Sequence, residues 1–184
     1  MVNDTIASTS TSKVGYPSAV APGLPAFTID VPAGWQVGEF PDALLAAIAP
    51  PAESGAFRPN LIVHGRRVPT SLTLEAAADG AVADLEVAYG RVDVGARDVS
   101  RNTGAELLRQ TLGYRLADDS LDLGHLNVIV LLHDEIAESG LRSLLRLDAV
   151  CTAEQSAACL PIFHDMISSF EVERRSMELS GGEE

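Results

Sequence analysis

From Leu121 to His133, Leu126, Val128, Val130 and Leu132 alternate with Asn127, Ile129 and Leu131 between His125 and His133. The period of two marks a strand, and apolar residues on both sides mean that neither face can stay wet. A sheet with one solvated face is therefore excluded, and covering layers must come from elsewhere in the chain.

The neighbouring segments extend this strand into a sheet. Strand patterns run from Val92 to Val99, from about Ala105 to Leu112 and from Leu141 to Cys151, with turn signals and no helix between them. Short connections of this kind argue for an antiparallel meander. In the last pattern, Leu145, Leu147 and Ala149 share one face, while Arg142, Arg146 and Asp148 share the other with Leu144 and Val150. The Glu135–Gly140 link is polar and is expected to be exposed.

Helical spacing supplies the covering layers. Leu74, Ala77, Ala78, Ala81, Val82 and Leu85 form an apolar stripe over Thr73 to Tyr89, with Ser71 or Thr73 as the cap and Gly90 as the stop. Glu75, Asp79, Asp84 and Glu86 lie off that stripe without a single base on the helix. A second helix is expected over Pro161 to Ser169, with Pro161 in its first turn and Ile162, Phe163, Met166, Ile167 and Phe170 along one stripe. Thr152-Ala153-Glu154-Gln155 fits a capping box that could start a preceding turn.

Upstream, Phe27, Ile29 and Val31 alternate with Thr28 and Asp30 as a strand that Pro32 and Gly34 terminate, delivering the only tryptophan, Trp35, as a core anchor. The runs Asp42–Ala49 and Leu61–His64 read as two more strands. The fold class is α+β: a central antiparallel sheet of about six strands flanked by helices on both faces, an αβα sandwich. Residues 1–23 and 174–184 are polar and without period and read as flexible tails around a single domain over 24–173.

Composition narrows the partners. The net charge of −13 opposes binding to nucleic acid and anionic lipid, and no apolar run reaches the roughly 20 residues of a membrane helix. The N-terminus has no signal-peptide pattern and no nearby cysteine to carry a lipid, so a cytoplasmic location is expected for the chain as it stands. Cys151 and Cys159 are the only cysteines; a structural disulfide and two reduced, partly buried thiols are both open.

Three segments, Phe27–Trp35, Phe57–Val63 and Phe163–Phe170, occur in an order that resembles the Mog1/PsbP-like superfamily, and within it the actinobacterial LpqN/LpqT-type proteins. The resemblance implies a central antiparallel sheet with helices on both sides. It also implies a binding protein with no catalytic centre. LpqN-type members are typically exported lipoproteins, and this chain departs from them at its N-terminus.

No nucleophile elbow, phosphate loop or zinc helix occurs. His125 and His133 share a strand face about 26 Å apart, too far to bind one metal together, while His64 or His164 could approach one of them only through the fold. No catalytic residue, metal or cofactor is expected. The functional expectation is a non-enzymatic scaffold that binds another protein, with Glu75, Asp79, Asp84, Glu86 and Glu135 as the candidate surface. The alternative is a small-ligand domain with a pocket between sheet and helix. A homodimer is left open, on general frequency alone.

Overall fold

The computed structural model describes residues 23–38, 40–51, 56–116, 121–133 and 140–173. Residues 1–22 and 174–184 of the expected tails, and Glu135, lie outside the described residues. Among the described residues, nine strands and two helices follow in order: β1 (Phe27–Thr28), β2 (Gln36–Gly38), β3 (Leu45–Ile48), β4 (Asn60–Pro69), α1 (Leu74–Tyr89), β5 (Val92–Arg101), β6 (Ala105–Leu116), β7 (Leu121–Leu132), β8 (Leu141–Thr152), α2 (Ser156–Ser168) and β9 (Glu171–Val172). A seven-stranded antiparallel sheet has the order β2-β3-β4-β8-β7-β6-β5, and β1 pairs with β9 in a separate two-stranded sheet.

The expected meander is present as β5-β6-β7-β8, and β7, the strand apolar on both sides, lies inside the sheet between β6 and β8. Leu126, Val128, Val130 and Leu132 join Leu145, Leu147 and Ala149 under α2, whose Phe163, Met166 and Ile167 close that core. On the other face, Ile129 and Leu131 join Leu108 and Leu144 under Leu74, Ala77, Ala78 and Ala81 of α1. Among the described residues a single helix lies on each face and covers only part of it, so the arrangement is not the clear αβα sandwich that was expected. The molecule is mostly sheet, and its main sheet has seven strands where about six were expected.

Three further expectations are corrected. The Phe27–Val31 pattern pairs only over Phe27–Thr28, because the Asp30 N–H donates to Ser169 Oγ at 2.8 Å instead of to a strand; Ile29 and Val31 still pack on the core. The Leu61–His64 pattern continues to Pro69, since pairing with β8 carries it through Gly65, Arg66 and Arg67. α2 begins at Ser156, so Pro161 sits inside the helix and not in its first turn. The capping box explains this early start. The Thr152 N–H donates to Gln155 Oε1 at 3.0 Å and the Gln155 N–H to Thr152 Oγ1 at 3.2 Å, which fixes the turn ahead of Pro161. The hydrogen bond that proline cannot make is lost toward Ala157, which is exposed to water.

The three segments behind the family resemblance meet on the α2 side. Phe27 lies 5.2 Å from Phe170 and Trp35 lies edge-on to Phe163 at 6.3 Å. Arg58 ties the third segment in through Nε to the Ala49 carbonyl at 2.8 Å and Nη2 to Gln36 Oε1 at 2.9 Å. Trp35 reaches this place through a turn that its own N–H closes on the Pro32 carbonyl at 3.2 Å, with Gly34 at φ +86°.

Candidate functional site

A rank of polar side chains crosses the α1 face of the sheet at one level. The register makes Asp148, Asn127, Gln110 and Arg97 successive cross-strand partners on β8, β7, β6 and β5. Their side chains bond in sequence. Asn127 Nδ2 donates to Asp148 Oδ1 at 2.8 Å, Gln110 Nε2 to Asn127 Oδ1 at 2.9 Å and Arg97 Nε to Gln110 Oε1 at 2.8 Å. Arg97 Nη1 then reaches Asp79 Oδ1 of α1 at 2.8 Å. Gln110 and Asn127 are fully buried, and each is satisfied within the rank, as buried amides must be.

Asp148 is the centre of this rank. His125 Nε2 donates to Oδ1 at 2.8 Å, Arg146 Nε donates to Oδ2 at 2.7 Å, and His64 Nε2 lies 3.7 Å from Oδ2. Burial alone would raise the carboxyl, but the hydrogen bond and charge of His125, the charge of Arg146 and the Asn127 amide outweigh it and hold it at about 2. The fold therefore brings together two of the four histidines, His64 and His125, around one carboxylate. His133 instead meets Glu106 at 3.1 Å, and His164 is exposed on α2. Among the described residues, no group of three His, Cys, Asp or Glu side chains is arranged to hold a metal.

The rank opens at its Asp148 end. α1 packs against β5, β6 and β7, and a helix about 10 Å across cannot cover seven strands spaced about 4.8 Å apart. The uncovered step is a polar cleft of about 280 Å³ between α1 and β4/β8. Its sheet wall carries His64, Arg66 and Arg146; its helix wall carries Asp84; Asp42 comes from the β2–β3 connection. The Asp42 carbonyl accepts from His64 Nδ1 at 3.1 Å, and its backbone is left-handed, with φ 60°. A second cavity, about 130 Å³, lies under α2 beside Cys151, Ser156 and Phe163, and apolar side chains dominate its walls.

The acidic residues on α1 divide between two flanks. At about 100° per residue, Glu75, Asp79 and Glu86 share a side, and Asp84 lies roughly 180° from Glu75. Bases absent from the helix come from β5. Arg97 pairs with Asp79 at 2.8 Å and Arg101 with Glu75 at 3.3 Å. The helix stripe gave no hint of either pair, since the partners lie 18 and 26 residues downstream. Sequence reasoning also missed the rank, although the register of the meander places its members in line. Cys151 and Cys159 are free thiols in the α2-side core. Burial raises both, Cys159 to about 11 with Cys151 beside it adding to the rise.

Comparison with known proteins finds no matching family model and no matching curated protein. Solved structures do match. LpqN of Mycobacterium tuberculosis, described as involved in cell envelope biogenesis, superposes with a TM-score of 0.65 at 13% identity over 83% of this chain and 86% of that one. Cyanobacterial PsbP from Synechocystis gives 0.52 at 14% identity over 88% and 98%. The Ran-binding protein Mog1p of Saccharomyces cerevisiae gives 0.50 at 15% identity over 80% and 90%. The fold is Mog1/PsbP-like.

Proposed function

We propose that this Mog1/PsbP-like chain is a non-enzymatic scaffold that binds another protein through the solvent side of α1. The observation that carries the reading is Val87, 90% exposed beside Glu86, on a helix whose buried residues all lie in its first half. An apolar anchor with an acid beside it suits a partner with a basic rim around an apolar pocket. Glu86 is the acid next to Val87; Glu75 and Asp79 lie on its flank beside Arg101 and Arg97, Asp84 lies on the opposite flank, and these acids with Glu135 make up the surface proposed to face the partner. A net charge of −13 favours the same kind of partner. Mog1p offers a precedent for this fold, being described as Ran-binding.

The polar groups of the rank support a non-catalytic reading, since Asn127, Gln110 and Asp148 spend their hydrogen bonds on one another. The proposal places the chain in the cytoplasm. Recovery in the envelope fraction, the setting the LpqN description favours, would overturn that part.

The test is cross-linking from Val87, followed by titration of the purified partner. Glu86→Lys with Val87→Ser should weaken binding about tenfold or more, and salt should weaken the unmodified pair. Unchanged affinity in the double variant would sink the α1 surface as the docking site.

A further inference from the structure

We propose that the cleft between α1 and β4/β8 binds a small zwitterion of amino-acid size, its anionic group on the sheet wall and its ammonium on the acidic wall. This goes beyond the docking proposal and shares only Asp84 with it. The chain holds 13 basic residues against 26 acidic ones, yet two arginines and a histidine converge on one cleft. The register explains how. His64 is the cross-strand partner of Arg146, and Arg66 lies two residues further along the same face of β4.

Arg146 is built into the wall. Its Nε is fixed on Asp148, which His125 and Asn127 hold in turn. That leaves the terminal Nη groups without a partner among the described residues, on a side chain 31% exposed at the cleft. A guanidinium anchored at one edge is pre-set for a carboxylate or phosphate oxygen. Arg66, also without a described partner, supplies a second cation, and His64 a third donor or acceptor. Its Nδ1 is turned to the Asp42 carbonyl, so Nε2 is the nitrogen left toward Asp148 and the cleft.

The opposite charges fix the ligand class. Asp84 on α1 and Asp42 on the β2–β3 connection also line the cleft. They would repel a polyanion and attract an ammonium. The volume of about 280 Å³ sits at the small end of ligand sites, roughly 300–1,000 Å³, which suits a free amino acid and is tight for a nucleotide. Ala77 and Ala81 form the helix side of the floor, and Ile129 and Leu144 the sheet side, so an aliphatic portion has apolar surface to rest on.

Isothermal titration calorimetry of the full chain with free glycine, glutamate and lysine, and with acetate and methylamine as half-ligands, tests this. At least one amino acid should bind in the millimolar range or tighter, with acetate and methylamine each about tenfold weaker or worse. Arg66→Gln and Asp84→Asn touch neither the rank nor the core. Each should weaken that amino acid about tenfold at an unchanged melting temperature. Acetate binding as tightly as the amino acid would replace the zwitterion site with a plain anion site. Binding by no probe, or binding that neither variant alters, would overturn the proposal outright.

Discussion

Asp148 shows how one residue couples burial to charge. Its carboxyl lies at about 2, below the ordinary 3.8, so the unfolded chain takes up the proton first as pH falls. The stabilisation is complete above about pH 4 and disappears as pH drops through about 2, an effect on the order of 2 kcal/mol at about 1.4 kcal/mol per unit. Urea melts between pH 5 and 2 should show this loss, with Asp148→Asn less stable at neutral pH and shallower in its acid slope; an unaltered slope in the variant would refute the assignment. Trp35 is the second test at this scale. It is only partly buried, with its ring edge-on to Phe163 at 6.3 Å. Trp35→Ala should therefore cost near the lower end of the usual range, about 3 kcal/mol, measured by chemical denaturation. The sequence indicated Trp35 as a core anchor from its place after a turn. It gave no sign of Asp148 as a centre, because the groups that hold it come from three different strands.

Among the elements, those with strong local signals were legible and those defined by pairing were not. α1 lies where its stripe places it. Thr73 caps it by accepting the Ala76 N–H at 3.1 Å, and Gly90 ends it at φ +83°. Thr73→Ala should accordingly cost about 1 kcal/mol, with the loss seen as a lower denaturation midpoint at an unchanged slope. The meander was legible too, since alternation and turn residues are local. β4 was cut short at His64 because Arg66 and Arg67 break the apolar pattern, yet both continue the ladder with β8. Arg66 is on the α1 face and lines the cleft, where α1 does not extend over the sheet, while Arg67 points to the other face and donates through Nη1 to Ser143 Oγ at 2.8 Å. The break in the pattern at Arg66 was thus a sign of the cleft, misread as the end of a strand. For the same reason the acids on α1 read as one surface, when Arg97 and Arg101 of β5 occupy one flank and the cleft takes Asp84 on the other.

For the whole molecule, one helix on each face of a seven-stranded sheet distributes stability unevenly. β4, β8, β7 and β6 are paired on both sides, and β7 and β8 carry buried residues toward both helices. β1 and β9 pair over two residues each, and β2 is an exposed edge. The polar rank adds to the contrast, since a one-residue slip of β7 would carry Asn127 to the α2 side, strand its amide in an apolar core and break three cross-strand bonds at once. The register is therefore held by side-chain chemistry as well as by hydrophobic alternation. Amide hydrogen exchange should rank the molecule in that order, with β7 and β8 exchanging only through global unfolding and β1, β2 and β9 opening locally at much lower free energy. Replacing the buried pair together, as Gln110→Leu with Asn127→Leu, leaves Arg97 and Asp148 without those partners but keeps volume in the core. If the rank fixes register, β6 and β7 should lose protection selectively while β4 and β8 keep theirs. A uniform loss across all four strands would show instead that the pair contributes stability without specifying the alignment.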